Sequence, residues 1–474
     1  MLDAPQDVRG ETVVTTTSRL EPARMSLDAE PAIEDPSSKN AVNYIAPVLE
    51  IVGFEVLLNL YDRTAINEDI YGVTTDSVRR NLHRAWVLDT DPFEMNMVAH
   101  PYSGALYFGF ARAAGHSYEV SLLYTIFGSV LWEYAGETGP ASLNDLIMTG
   151  IGGSFLGEAL FRMANALLRS GGDPPGVLPQ IGAGVLLPSA TVNVYGNRAA
   201  RAFEDHDPPV FLRMSLGASR IVQESNTGKE HGNLGNTSGL ATVDFIYGLP
   251  GDPDYTYHRP FDYFSFHFTG SNTAQTGVGN VMILGLLGGT PYTAGSDYRG
   301  VWGLYGNYDY ISQETFRVAT TALSLGTTGQ CRISKHLTLQ GTVTGGFGFG
   351  AAGNVAPLEE KDYVYGVMPQ ALVTIRTLFG DTAMLDVTGR EYFIRGTGID
   401  KRYALANNAH IESAFTVRVA GPMAVGVWYG VSEIDAHYRT FSRSSVMRGT
   451  LGLTVSFLGN SGFGMVGARN GNQD

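Results

Sequence analysis

Two hydrophobic periods divide the chain. Between about residues 41 and 169, apolar positions recur every three to four residues, as in VLEIVGFEVLLNLYDR, where Leu49, Val52 and Val56 share one helical face. From about residue 210 onward the period becomes two, and in FDYFSFHFTG three phenylalanines alternate with polar side chains. The pattern therefore predicts a helical first part followed by a long series of strands.

The second part contains about twelve alternating runs, each long enough to cross a bilayer at a tilt, which takes roughly 9–11 residues. Short and longer connections alternate loosely, and aromatic residues gather near strand ends, as in the interfacial girdles of outer-membrane barrels. The runs lie near residues 211–222, 239–249, 261–270, 278–288, 299–310, 315–328, 337–349, 363–379, 382–396, 405–420, 423–438 and 445–458. They predict an antiparallel transmembrane β-barrel of about twelve strands.

Composition supports a large β-structure. The 474 residues include 59 Gly, 24 Tyr and 23 Phe, and only 16% are charged, which is below the usual quarter. The polar face of the alternating runs is mainly Thr, Ser, Gly and Asn, which suits an enclosed lumen better than the water-facing side of a soluble sandwich. A soluble β-protein with a helical subdomain is nevertheless kept as an alternative.

Charge and cysteine content exclude several function classes. The net charge is −14 and no long Lys/Arg run occurs, so nothing indicates nucleic-acid binding. The single cysteine, Cys331, excludes an intrachain disulfide and a Cys-based zinc site. GFGAAG at residues 348–353 formally matches a dinucleotide-binding pattern but ends a strand with no helix after it, so no cofactor is predicted.

The domain boundaries follow from the change of period and from the breaks between patterned segments. Residues 1–40 are polar, acidic and proline-bearing, which predicts disorder, and they contain no signal peptide. For an outer-membrane protein this predicts that a signal has been removed. Residues 41–170 are predicted as a helical subdomain, 171–209 as a linker beginning with SGGDPPG, 210–458 as the barrel and 459–474 as a polar tail.

Several acid–base and metal-ligating side chains lie on the apolar helices. Glu133 and Glu137 are four residues apart and therefore share one helical face, while His100 and Asp145 belong to neighbouring helical segments. If the four side chains converge, they could hold a hard cation or carry protons near neutral pH. They are the candidate catalytic residues, and any metal is left open because the spacing matches no metal or nucleophile motif.

Arginines of the barrel offer another role for the acidic helices. Placed inside the lumen, the helices would pair Glu133, Glu137 and Glu158 with inward-facing arginines. Trp132 would be wedged beside them, and Arg162 would pair with Glu158 one helical turn away. The helical subdomain is thus predicted to plug the barrel. The candidate wall contacts are Arg213, Arg317, Arg376, Arg390, Arg418 and Arg448.

One segment of the helical part resembles a bacterial envelope family known only as domain of unknown function 3943. The motifs that carry the resemblance are N-x-x-x-H-P-Y-x-G, W-E-Y-x-x-E, P-x-S-x-x-D-L and G-x-x-x-G-E. In this chain they comprise Asn96, His100, Pro101, Tyr102, Gly104, Trp132, Glu133, Tyr134, Glu137, Pro140, Ser142, Asp145, Leu146, Gly153, Gly157 and Glu158. The resemblance covers roughly residues 86–170. It implies an outer-membrane location, but no activity and no catalytic residue.

Three hypotheses of function follow. The first is an outer-membrane barrel with a helical plug, which is structural or binds or passes a lipid or a small solute. The second is an envelope hydrolase acting on lipid or glycan, with His100, Glu133 and Glu137 as acid–base or metal groups. The third is the soluble β-protein. Outer-membrane lipid and a small ligand are the expected partners under the first two hypotheses, and the oligomeric state is left open.

Overall fold

A computed structural model gives the fold of most of the chain. It describes residues 42–66, 69–89, 91–172, 175–192, 208–226, 229–230, 237–251, 255–272, 277–312, 316–354, 363–395, 403–438, 444–459 and 463. The segment 1–40, predicted to be disordered, and all of the predicted polar tail except residues 459 and 463 lie outside the described residues.

The strands form one antiparallel sheet that closes on itself. The described residues contain thirteen strands, and twelve of them, β1 and β3–β13, make a ring because β13 pairs with β1. Closure leaves no long sheet edge unpaired, and the predicted barrel of about twelve strands is confirmed. The strands are β1 Val210–Asn226, β2 Lys229–Glu230, β3 Thr237–Tyr247, β4 Phe264–Ser271, β5 Val278–Ala294, β6 Tyr298–Ser312, β7 Phe316–Ser334, β8 Leu337–Asn354, β9 Tyr363–Phe379, β10 Ala383–Ile394, β11 Tyr403–Ala420, β12 Met423–Tyr438 and β13 Ser444–Leu458.

The two ends of the barrel differ in their connections. At one end, four connections contain only two or three residues, namely 295–297, 335–336, 380–382 and 421–422. Strand β1 begins and β13 ends at this same end. A longer connection, 248–263, also lies at this end, and the connections at the other end include three residues at 313–315 and eight at 355–362. A group of short turns at one end is typical of outer-membrane barrels, in which the short turns face the periplasm.

Alternation along the strands separates an apolar exterior from a polar interior. Leu325, Phe347 and Leu453 point outward and are 65–68% exposed, whereas Thr342 and Ser456 point inward and are buried. A water-soluble barrel would show the opposite pattern, with polar residues outside. An exposed apolar belt around a polar interior is typical of a transmembrane barrel.

The helical part extends further along the chain than predicted, because two short helices lie in the predicted linker 171–209. The helices are α1 Ala46–Tyr61, α2 Thr75–Asn81, α3 His100–Ala113, α4 Tyr118–Ala135, α5 Leu143–Asp145, α6 Gly153–Ser170, α7 Val177–Leu186 and α8 Pro188–Val192. Single-turn π-helical segments at Asp62–Ile66, Met95–Ala99 and Leu146–Gly152 adjoin α1, α3 and α6, and a 3₁₀ turn forms at Asp69–Tyr71. No described helix is both long enough and apolar enough to span a membrane.

These helices pack against the outside of the barrel. Asp309 of β6 binds Arg390 of β10 across the lumen, with 2.6 Å between Oδ1 and Nη1. Because successive side chains of a strand point to opposite faces, the neighbouring Tyr308 points outward. Its hydroxyl donates a hydrogen bond to the backbone carbonyl of Met97, just before α3. The helical part therefore lies on the exterior side of β6.

Contacts on other strands place the helices on the same face. Phe155 of α6 lies against the outward face of β6 at Gly306, where an added Cβ would meet its ring at 2.5 Å. Asn96 and Asn144 donate hydrogen bonds of 2.7 and 2.9 Å to the outward hydroxyl of Tyr365 on β9. We call residues 42–192 the helical layer. Its position differs from the predicted plug, because the outward aromatic side chains of β4, β6 and β9 provide the wall on which it packs.

Side chains of the strands fill the lumen instead. A cavity of roughly 130 Å³ lies between charged residues in its middle. Apolar clusters lie on either side of this cavity. The cluster near the short turns contains Phe211, Leu249, Leu378, Met384, Ala424, Leu458 and Phe463. The cluster near the longer connections contains Met282, Ile311, Val318, Ala352, Val364, Met368, Tyr392, Ile394, Ala406, Ile434 and Ala436.

Replacing Gly306 by valine is expected to loosen the helical layer without opening the barrel. The new Cβ would overlap the Phe155 ring, and overpacking of this kind costs about 1–3 kcal/mol. The measurement is limited proteolysis of residues 42–192, with heat-dependent gel mobility as the readout of the barrel. Gly389→Val is the matched control, since nothing lies within 4 Å of a Cβ at that outward position. Equal protease resistance of both variants would contradict the packing described.

Candidate functional site

Side chains from three helical segments meet on the outer wall of the barrel. His100 begins α3, Glu133 lies in the last turn of α4 and Asp145 ends α5. One ligand atom from each of the three lies within 4.8 Å of the other two. The structure thus brings together three of the four candidate residues. The fourth, Glu137, follows one helical turn after Glu133 and is partly exposed.

Ser142 positions two carboxyl-bearing residues of the site, Glu133 and Asp145. Its hydroxyl accepts a 3.3 Å hydrogen bond from the backbone N–H of Asp145 and so caps the start of α5. Its own N–H donates a 2.6 Å bond to Oε2 of Glu133. Ser142 is in turn held by a parallel bridge to Val87. The S-x-x-D pattern seen in the sequence is therefore a real cap that also positions the site.

Asn144 connects the site to the barrel wall. Its amide nitrogen donates to Oδ1 of Asp145 and to the hydroxyl of Tyr365, at 2.8 and 2.9 Å. Its amide oxygen accepts a 2.8 Å bond from the backbone N–H of Asp89. Asn144 is fully buried, so the orientation of the Asp145 carboxylate is tied to a side chain of strand β9. Sequence periodicity gave no signal for this link, which joins residues 221 positions apart.

The imidazole of His100 is held by two neighbours. Nδ1 lies 3.2 Å from Oγ1 of Thr149, and Nε2 lies 3.8 Å from Oδ1 of Asp145. Burial lowers the pKa of His100, which favours the neutral ring at neutral pH. A neutral imidazole is the form that binds metals or accepts protons. Only 13% of its side chain is exposed, so the imidazole is largely shielded from solvent.

The carboxyl groups around His100 favour protonation. Burial, followed by the nearby charge of Asp145, raises the pKa of Glu133 to about 9. Burial raises the pKa of Glu137 to about 7, although the indole N–H of Trp132 donates to it at 2.9 Å. Burial also raises the pKa values of Asp145 and Asp89 to about 6. In the part of the chain that the structure describes, no Lys or Arg forms an ion pair with Glu133 or Asp145.

Glu158 belongs to a separate ion-pair network. Its carboxylate binds Nε of Arg112 at 2.8 Å and Nε of Arg162 at 2.7 Å. Arg162 also reaches Asp262 and the carbonyl of Pro260, in the connection between β3 and β4. The Glu158–Arg162 pair predicted from its four-residue spacing is present. It secures α6 to the barrel exterior instead of to the lumen.

Most of the predicted wall arginines pair with residues of the barrel. Arg213 and Arg376 share Asp386, at 2.8 and 2.5 Å, and Arg390 binds Asp309. The pairing predicted for Glu133 and Glu137 is thus absent among the described residues, because these arginines face the lumen and the helices do not. Arg448, which the alternation of β13 also turns inward, binds Glu224 on β1. Arg418 binds the carbonyls of Asp381 and Gly421 near the short turns. Arg317 differs from the prediction, because it faces outward and binds Glu94 of the helical layer.

The lumen holds a second group of charged residues, of which the sequence pattern singled out only Arg213. His267 of β4 reaches Glu412 of β11 across the lumen at 3.2 Å and Asp244 of β3 at 2.7 Å. Arg213, on the neighbouring strand β1, joins Asp244 to Asp386 of β10 across the lumen. Alternation alone places these side chains inside. Their pairing depends on cross-lumen distances that no local pattern records.

Comparison with known proteins supports the family resemblance. Residues 85–189 match the model of a family described as Domain of unknown function (DUF3943). This match contains His100, Glu133, Glu137 and Asp145. No curated protein matches the chain.

Similar solved structures are outer-membrane channels. The channel DcaP of Acinetobacter baumannii is 8% identical, with 53% of this chain and 96% of that chain covered and a TM-score of 0.25. A channel from Pseudomonas putida F1 is 9% identical, with 54% and 98% covered and a TM-score of 0.30. Nothing about activity follows from likenesses at these TM-scores.

Without a bound cation, the stability of the helical layer is expected to fall as pH rises from about 4.5 toward 9. Glu133 has a folded pKa near 9, above the ordinary value of 4.5, so its protonated form stabilises the fold and ionisation removes that contribution. Glu133→Gln should flatten the dependence. The measurement is urea unfolding at pH 5, 7 and 9 in chelator, followed by helical circular dichroism. Glu119→Gln, at an exposed position of the same helix, is the control and should keep the slope of the wild type.

Proposed function

We propose that the protein is an outer-membrane β-barrel whose helical layer binds a divalent cation and uses it in hydrolysis. The observation that carries the proposal is the meeting of His100, Glu133 and Asp145 within 4.8 Å. One imidazole nitrogen and two carboxylate oxygens suit first-row divalent metals such as Zn²⁺, Mn²⁺ or Fe²⁺. The same donors also leave room for further ligands, as catalytic sites require.

The electrostatics of the cluster support a cation. Buried carboxyl groups without a positive partner keep their protons, which is why the pKa values of Glu133 and Asp145 are raised. A divalent cation would replace those protons and bind the anionic forms, so that binding releases protons. Ser142 and Asn144 already orient the two carboxylates, in the way that outer partners orient metal ligands.

Glu137 is placed to move a proton beside this site. Its pKa of about 7 suits a general base near neutral pH. In the proposed reaction, Glu137 accepts a proton from water as the water oxygen attacks an ester or phosphoester. The same proton then passes to the oxygen of the leaving group. Trp132 keeps the carboxylate in position through its indole N–H.

The membrane location follows from the barrel exterior. The outward side chains form an exposed apolar belt, and the short turns collect at one end. Both features suit a barrel inserted in the outer membrane with the short turns toward the periplasm. Outer-membrane lipid is then a constant neighbour of the chain.

Passage of a solute through the barrel is the second candidate function. The cavity of roughly 130 Å³ and its charged lining favour it. The cross-lumen pairs Arg213–Asp386 and His267–Glu412, together with the apolar clusters on either side of them, close the path in this structure. In this hypothesis the gate consists of side chains of the barrel wall, and the helical layer takes no direct part.

Glu133→Gln is expected to weaken cation binding at least about tenfold and to remove any lipid turnover, because the amide cannot supply an anionic ligand. The measurements are metal content and Zn²⁺ or Mn²⁺ titration of the folded barrel, with a mass-spectrometric lipid profile of outer membranes. Glu119→Gln makes the same chemical change at an exposed position of α4 and should match wild type. Unchanged cation affinity in Glu133→Gln would refute the cation site.

If the charged pairs, and not the apolar clusters on either side of them, hold the path closed, removing one partner from each cross-lumen pair is expected to open the barrel. In the double variant Arg213→Ala, Glu412→Ala, the groups that join β1 to β10 and β4 to β11 are lost. Single-channel conductance in planar bilayers should rise from a closed baseline to resolvable steps. Arg418→Ala, near the short turns, is the control. A double variant as silent as wild type would count against solute passage.

A further inference from the structure

Helix α4 has its polar face inside and its apolar face outside. Four residues spaced one turn apart, Ser121, Thr125, Ser129 and Glu133, are all buried. On the other side of the helix, Leu123 is 65% exposed and Phe127 is 40% exposed. A helix on the surface of a water-soluble protein shows the reverse pattern, with its polar residues in solvent.

Helix α1 shares this inverted arrangement, and α7 also exposes apolar residues. In α1 the carboxylate Glu55 is buried, while every exposed residue is apolar or glycine. The exposed apolar residues of α1 are Leu49, Val52, Val56, Leu57, Leu60 and Tyr61. Those of α7 are Val177, Leu178, Ile181 and Val185. Contiguous apolar surface of this kind on a folded protein marks a contact with a membrane or a partner.

The exterior of the barrel indicates whether this apolar surface contacts a membrane or a partner protein. On β7, the outward side chain of Thr321 touches Met148 of the helical layer, whereas Leu323, two residues along the same face, is exposed. On β8 the outward side chain of Phe349 packs against the apolar cluster that the layer forms with the barrel wall, and Phe347 beside it is 68% exposed. The apolar exterior of the barrel therefore continues across the edge of the helical layer onto the layer's own surface.

We propose that the exposed faces of α1, α4 and α7 contact the acyl chains of the bilayer, so that the helical layer takes the place of lipid against strands β3–β9. This surface is continuous with the apolar belt of the barrel, and the exposed positions of its central turns carry no charge. Both features indicate contact with hydrocarbon. Met95, Tyr102 and Leu143, near the cation site in the chain, are also exposed. If the proposed cation site is correct, membrane lipid is its class of substrate.

Lipid contact can be tested by site-directed fluorescence quenching. Cys331→Ser removes the native thiol, and single cysteines replace Leu57, Leu123 or Ile181 for labelling with an environment-sensitive dye. The labelled barrels are reconstituted in phosphatidylcholine vesicles with brominated acyl chains, or exposed to aqueous iodide. Phe347→Cys on the barrel belt is the lipid control, and Arg79→Cys, exposed on α2, is the water control.

The proposal expects all three helical positions to follow the Phe347 control, with strong quenching by brominated lipid and little by iodide. Quenching by iodide at the level of the Arg79 control would overturn the proposal. In that case, quenching of the Phe347 position by brominated lipid would show that the barrel itself is inserted in the membrane. Protection from both quenchers would also overturn it, because a second protein chain would then cover the face. If brominated lipid quenches the helical layer but Glu133→Gln leaves the cation affinity unchanged, the lipid-contact proposal would stand and the proposed hydrolytic function would be refuted.

Discussion

The pairing of β13 with β1 is the constraint on which the rest of the structure depends. Once the sheet is closed, every strand residue belongs either to the lumen or to the exterior, and a shift by one residue would exchange the two sets. The inside then receives both signs of charge, which pair across the lumen. The outside receives the aliphatic and aromatic side chains, and the chain has to cover them with hydrocarbon or with its own helices.

The helical layer covers part of this apolar exterior and also encloses polar groups between its helices. Toward the barrel it offers Phe155, Met148 and hydrogen-bonding amides such as Asn96 and Asn144, which pair with outward tyrosines. Between its helices it buries a polar stripe and a group of carboxylates around His100. Polar groups are thus concentrated in a thin zone between two apolar surfaces. Such a zone has a low dielectric, which strengthens each electrostatic interaction within it.

The sequence predicted the barrel well and the place of the helices poorly. Two-residue alternation is a local signal, so it located the strands and sorted residues such as Arg213 and Arg376 into the lumen. Helices that are apolar around much of their circumference do not reveal which surface they cover, and inside or outside packing fits the same pattern. The meeting of His100 with Glu133 and Asp145 was one possibility among several for the same reason. Its supports, Asp89, Asn144 and Tyr365, come from segments too distant for periodicity to connect.

The position of residues 42–192 before the barrel strands in the chain has a consequence for biogenesis. The ribosome completes the helical layer before the first barrel strand exists, and the wall that buries Phe155 and Asn96 is built from strands made much later. Until that wall closes, the helical layer exposes apolar surface on both sides and is prone to aggregation. Their docking is therefore a late step of assembly, and the nascent chain depends on chaperone protection from translation until the barrel is complete.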